Sequence, residues 1–211
     1  MKPIRLLLVA LSVFSLYACS EDERRLSSWR EDLVDLWTGP DGQVEKVVFD
    51  DNHAYEPVNT VMLSDPDTVR RVFAAVLLYD DGSMWLGNRK DVLTVEAIRT
   101  NSSAIVQDPL TVVAVWRGGA YVNMKLDLLT GPSDIGHRFA VWDRGVEANP
   151  NGGNLLRLDV YHDQNGDDAF YTRSIHFCAS LRPYDELLQA GDSVAVSIRT
   201  ATGLQSYRLP Y

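Results

Sequence analysis

Between Leu155 and Phe177, apolar and polar positions alternate in two runs that flank a polar stretch. In the first run Leu156, Leu158 and Val160 share one face of an extended strand, and Arg157, Asp159 and Tyr161 share the other. In the second run Ile175 and Phe177 are the expected inward pair. Asn165-Gly166 lies between the runs and is a strong hairpin signal, since both residues tolerate positive φ. The pattern predicts a β-hairpin whose apolar face must be covered by a second layer.

The same short period recurs along the chain. Residues 33–38, 44–49, 53–58, 69–79, 83–86 and 92–97 are β-prone runs, separated by Gly39-Pro40-Asp41-Gly42, Asp50-Asp51-Asn52, Asp65-Pro66-Asp67 and Asp80-Asp81-Gly82. They predict a β-meander that closes as a small OB-like barrel over residues 32–100, because a small barrel removes exposed edges at low strand number. An SH3-like barrel fits the same pattern.

A boundary is expected between residues 99 and 110, at Thr100-Asn101-Ser102-Ser103 and Asp108-Pro109. Beyond it residues 110–116 read as strand or irregular, with a short helix behind an Asp108 cap as the alternative. Residues 120–129 alternate as a half-buried strand and 139–142 form another. Residues 146–153 read as a loop, and Pro183-Tyr184-Asp185-Glu186-Leu187-Leu188 as a helical turn. Residues 192–200 and 205–209 close the chain as a hairpin about Thr202-Gly203. The expectation is an all-β chain: the barrel, then an antiparallel β-sandwich over 101–211.

The first residues follow another rule. Lys2 and Arg5 precede a short apolar run that ends at Leu16-Tyr17-Ala18-Cys19. The run is too short to cross a bilayer as a helix and suits the apolar region of a secretory signal. Leu16, Ala18 and Cys19 resemble a bacterial lipobox, which implies cleavage of residues 1–18 and lipid attachment at Cys19. Ser20 after Cys19 resembles an outer-membrane sorting signal, and Glu21-Asp22-Glu23 resembles the surface-export tag of some gut and oral anaerobes. The periplasmic face and the cell surface both stay open. Residues 19–31 are polar and mixed in charge and read as a flexible tether.

Losing Lys2 and Arg5 with the signal takes the formal charge from −9 to −11. Such a chain repels phosphate backbones, and no basic aromatic stripe offsets the charge, so nucleic acid is not an expected partner. Acylation of Cys19 leaves Cys178 as the remaining thiol, which excludes an intramolecular disulfide; Cys178 reads as a small core residue.

Asp163, Asn165 and Asp167 place oxygen side chains at alternate positions, like the opening of a calcium loop. Asp168 stands where that pattern wants Gly and Ser174 where it wants Glu, so the favoured reading is a polar hairpin tip with solvated acids. His53, His137, His162 and His176 lack zinc-ligand spacing and read as structural. Gly118-Gly119 and Gly152-Gly153 lack the context of a phosphate loop, and no nucleophile elbow or Cys-His set is present. No catalytic residue and no cofactor are therefore assigned. Trp29, Trp37, Trp85, Trp116 and Trp142 include candidates for a glycan-stacking platform, although most Trp residues in small β domains are core or edge plugs.

The lipobox, the barrel and Tyr161-His162-Asp163-Gln164-Asn165-Gly166-Asp167 together resemble the NigD-like lipoproteins of Gram-negative gut and oral anaerobes. The resemblance extends through Val122-Asn123-Met124-Lys125-Leu126, Gly191-Asp192-Ser193-Val194 and Thr200-Ala201-Thr202-Gly203. It implies an N-terminal OB domain, a C-terminal β-sandwich and no catalytic set. It implies a non-enzymatic binding or protective protein, in the direction of bacteriocin immunity, whose partners are the membrane and an envelope protein or toxin. A glycan-binding or carbohydrate-processing accessory lipoprotein is the alternative. The lipid assignment is checked by metabolic labelling with palmitate: wild type should be labelled and Cys19→Ala should not.

Overall fold

The computed structural model describes residues 26–100, 107–132, 135–149 and 152–211. Cys19, the signal at 1–18, the tether before Leu26 and the Asn101-Ser102-Ser103 boundary lie outside the described residues. Among the described residues the regular elements are all strands apart from one 3-10 turn at Arg182–Tyr184.

Five strands build the N-terminal unit: β1 (Leu26–Thr38), β2 (Val44–Phe49), β3 (Ala54–Tyr55), β4 (Val69–Tyr79) and β5 (Met84–Asp91). Their order is β3-β2-β1-β4-β5, so β4 lies beside β1 and the expected meander is corrected. The crossover places the longest apolar run next to the longest strand, where both can bury two faces. Val34 and Leu36 of β1 meet Val72 and Val76 of β4 in the barrel core with Val47, Phe49, Met84 and Leu86. The opposite faces of β1 and β4 carry Leu33, Asp35, Arg71 and Phe73 toward the second unit.

A parallel bridge from Pro57 to Met84, with Val58 N–H donating to the Met84 carbonyl at 2.8 Å, brings the β3 side against β5 and half-closes the barrel. Asn59 extends that seam by donating to the Leu86 carbonyl and accepting from its N–H, both at 2.9 Å. In the β1–β2 turn Gly42 has φ 81°, and a Cβ there would meet the Leu63 carbonyl oxygen at 2.7 Å. Only glycine fits that position without strain.

The second unit contains β6 (Leu93–Glu96), β7 (Ile98–Arg99), β8 (Thr111–Gly118), β9 (Tyr121–Thr130), β10 (Arg138–Ala148), β11 (Asn154–Asp163), β12 (Tyr171–Ser180), β13 (Ser193–Thr200) and β14 (Gly203–Pro210). They form two sheets, β14-β13-β11-β10-β7 and β6-β12-β9-β8. Residues 93–99 are thus the start of the sandwich and not the end of the barrel, because β6 pairs with β12 and β7 with β10. Residues 26–31, expected in the tether, belong to β1. The sandwich is mixed: β6–β12, β7–β10 and β11–β13 are parallel pairs. The closing hairpin of β13 and β14 is as expected.

The predicted hairpin about Asn165-Gly166 does not form. β11 and β12 lie in opposite sheets, and residues 164–170 arch between them. Leu156, Leu158 and Val160 face Phe177 across a core shared with Met124, Leu126, Val141, Val196 and Ile198. Alternation says which face of a strand is apolar; it does not say whether the neighbour in sequence pairs edge to edge or packs face to face.

A buried ionic cluster joins the units. The Arg71 side chain is 3 % exposed; it donates to Asp35 at 3.2 Å, to Asp50, and to the Asn123 side-chain oxygen of β9 at 3.1 Å. Its guanidinium lies 4.4 Å from the centre of the Tyr121 ring. Asp35 also accepts from Tyr121 Oη at 3.1 Å and Arg182 at 3.0 Å. Asp50 also accepts from Asn123 at 2.8 Å and from the Trp116 indole at 3.3 Å. Two cations thus meet two carboxylates, with Tyr121, Asn123 and Trp116 of the second unit filling their remaining lone pairs. Losing one partner of a buried pair costs about 3–5 kcal/mol, because the other charges stay buried. Arg71→Met should lower stability by about that much in urea unfolding.

Candidate functional site

The acidic arch after β11 is built around Asp167, not around a cation. Asp167 is buried and accepts from Thr130 Oγ1 at 2.6 Å, the Gly131 N–H at 3.0 Å and His137 Nε2 at 3.2 Å. The Thr130 hydroxyl, then the Gly131 amide, hold its carboxyl down to about 2. Asp163 instead caps its own turn, accepting from the Asn165 N–H at 2.7 Å, and lies 3.5 Å from Arg138. The Asn165 side chain donates to the Gly136 carbonyl at 3.1 Å. Asp163, Asn165 and Asp167, whose spacing resembles the opening of a calcium loop, therefore serve three different sets of partners. The solvated-acid reading holds poorly as well, since Asp167 is buried.

Two histidines 25 residues apart complete this arch. His137 Nδ1 lies 2.9 Å from His162 Nε2, and His162 Nδ1 lies 3.1 Å from the Asp108 carbonyl. Protons follow from the partners: a carbonyl and a carboxylate can only accept. His162 Nδ1 therefore donates to the Asp108 carbonyl and His137 Nε2 to the Asp167 carboxylate, and the two remaining ring nitrogens face each other. Burial holds the His162 imidazole below its ordinary range, and the neighbouring His137 adds to that. Sequence spacing did not bring these residues together because the two strands that position them are adjacent only in the folded sheet.

Cys178 is fully buried, as expected, and donates to Asn123 Oδ1 at 3.1 Å. Burial pushes its thiol up to about 11, far from a reactive thiolate.

An open groove of about 940 Å³ lies between barrel and sandwich. Phe73, Lys90 and Glu31 line it from the barrel; Lys125, Arg173 and His176 line it from the sandwich. Phe73 stacks on His176 at 4.5 Å and 21°, which seats one unit on the other at the groove floor. Phe139, Ile135 and Tyr171 supply its apolar rim. Lys90, Lys125 and Arg173 have no salt-bridge partner among the described residues, and Asp91 at the groove lies 3.8 Å from Arg70.

The tryptophans divide. Trp116 bonds Asp50, Lys46 lies 4.2 Å over Trp37, and Trp142 packs edge-on against Tyr161. Trp29 and Trp85 are 60 % and 39 % exposed and stand in register through Leu77, so an apolar row crosses β1, β4 and β5. Glu31, two residues along the same face of β1, connects this row to the groove.

A family model described as the NigD-like C-terminal beta sandwich domain matches residues 92–211, more than half of the chain. The chain belongs to the NigD-like family. The match begins where β6 begins to pair, and it bears out the resemblance read from the sequence. Among solved structures, a NigD-like immunity protein from Bacteroides caccae is 20% identical with a TM-score of 0.64, covering 87% of this chain and 93% of that one. A protein from Parabacteroides distasonis named as toxin-related is 18% identical with a TM-score of 0.68, over 87% and 93%. One from Bacteroides fragilis named as a lipoprotein is 11% identical with a TM-score of 0.56, over 87% and 98%. At such identities the likeness is one of fold. No curated protein sequence matches this one. No helix among the described residues is long and apolar enough to cross a membrane.

The pH dependence of stability follows from the shifted groups. Burial, and Lys125 after it, lower His176 as burial and His137 lower His162. Groups lowered from 6.5 bind protons more readily when unfolded, so their contribution is whole above about 6.5 and is lost as pH falls below it. Asp167 adds a second loss, from the ordinary carboxylate range near 3.8 down to about 2. Melting temperature should therefore fall between about pH 7 and 5, with a shallower slope in His162→Gln, and fall again below about pH 4.

Proposed function

We propose that this NigD-like chain is a lipid-anchored, non-enzymatic binding protein of the cell envelope, protective in the manner of an immunity factor. The observation that carries this reading is the state of its chemically capable side chains. All four ring nitrogens of His137 and His162 are committed, to Asp167, to the Asp108 carbonyl and to each other. Cys178 is buried with a raised thiol. What the surface offers instead is recognition chemistry: unpaired cations, a groove and exposed aromatic rings.

The anchor rests on Leu16, Ala18 and Cys19, which would hold the mature chain to the outer membrane on its periplasmic face or at the cell surface. More than one acyl chain gives stable attachment without a membrane span. The name of the Bacteroides caccae neighbour supports an immunity role, and that of the Bacteroides fragilis neighbour supports lipidation. The partner on this reading is another envelope protein or a toxin.

The Trp29–Leu77–Trp85 row favours a second reading, an accessory glycan binder, because sugars stack on exposed indole faces. The two readings separate experimentally. A deletion strain of the source bacterium should be killed more readily by bacteriocin-containing supernatants of related strains. Wild type should restore resistance and Cys19→Ala should not. Unchanged killing, together with retardation of the protein in polysaccharide gels that Trp29→Ala/Trp85→Ala abolishes, would replace the first reading by the second.

A further inference from the structure

β12 is covered unevenly along its length. On one side it pairs with β9 over all ten residues, from Tyr171 to Ser180, without a register shift. On the other side β6 pairs with Phe177 to Ser180 and stops, because the chain before Leu93 turns away to the barrel. Residues 171–176 therefore present an edge with no strand partner among the described residues. Tyr171, Thr172, Arg173 and Ser174 are all exposed, and the groove runs along them. A strand edge of this kind exposes a row of unpaired N–H and C=O groups, and peptide backbone complements it.

We propose that this edge is a docking site for an extended acidic segment of a partner protein, which adds as a strand at the position β6 leaves open. This deepens the binding-protein reading above and rests on it. The site is about 20 Å long, six residues at roughly 3.3 Å each. Its ends are defined: Val92 and Leu93 stop the guest on the β6 side, where Phe73 stacks on His176.

The walls select the guest's side chains. Successive residues of an added strand point to opposite faces. Toward the mouth of the sandwich they would meet Ile175, Phe139 and Ile135, which favours apolar residues. Toward the barrel they would meet Lys90 and Lys125, which favours Asp or Glu. Arg173 stands on the edge itself. Glu31 and Asp91 also line the groove, so Lys90, Lys125 and Arg173 stand there against two carboxylates, an excess of positive charge in a chain whose formal charge is −9. The same cations repel a second copy of this basic edge, which guards against self-association.

The test uses the purified mature chain and a fluorescent peptide alternating Glu and Val, as long as the edge. Controls are the peptide with Lys for Glu and the Glu peptide N-methylated at alternate residues. Saturable binding of the Glu peptide is expected, weakened at least tenfold by Lys90→Glu/Lys125→Glu and absent with the N-methylated and Lys peptides. Both substitutions lie on exposed or half-exposed side chains, and an unchanged melting curve confirms folding. Equal binding of the Lys or N-methylated peptide, or an unaffected charge-reversed variant, would overturn the proposal. So would binding of polygalacturonate, sensitive to the reversal, without binding of any peptide, which would assign the groove to an acidic glycan. Resistance to bacteriocin with no peptide binding would overturn the docking site and leave the protective reading intact.

Discussion

Arg71 is the residue on which the arrangement of the two units depends. It rises from β4 on the outer face of the barrel and ends among Asp35, Asp50, Asn123 and Tyr121. A cation removed from water needs its partners in fixed geometry, and here those partners come from both units. Such clusters contribute little net stability compared with apolar packing, but they tolerate few alternative arrangements. Sliding the barrel along the sandwich would separate buried charges, whereas sliding Leu33 against Cys178 and Trp116 alone would cost far less.

That constraint reaches the groove. Phe73 lies two residues beyond Arg71 on the same face of β4, and its stack on His176 follows from the placement of Arg71. With Phe73 seated, its cross-strand partner Lys90 lines the same groove as Lys125 and Arg173. The groove is thus a consequence of how the units are locked, and Asp35 and Asp50 at the interface are consumed by Arg71 and Arg182.

The arch after β11 works by the same principle on a smaller scale. Asp167 is buried with a hydroxyl, a backbone amide and an imidazole ring around it. It pins residues 130–131 and His137 to the end of β11. The rim of the groove, with Ile135, Gly136 and His137, is held by this carboxylate. An acid that sequence spacing offers to calcium is instead neutralised by the protein's own donors.

By itself the sequence determined strand content, the position of most turns and which residues are apolar inside. Period-two alternation marks Leu156, Leu158, Val160 and Phe177 as core wherever their strands are placed, and Thr202-Gly203 closes a hairpin locally. The motifs also carried the family, through short stretches whose side chains and turns occur together. Tertiary structure alone decided the partners of each strand. Alternation is satisfied equally by pairing β11 with β12 in one sheet and by packing them across a core, and the arch formed in preference to the hairpin. Likewise nothing local places 93–99 with the sandwich or joins His137 to His162. The groove was equally hidden, because Lys90, Lys125 and Arg173 meet only after the units are locked about Arg71, and charges far apart in sequence have no local pattern that records where a buried cation will bring them.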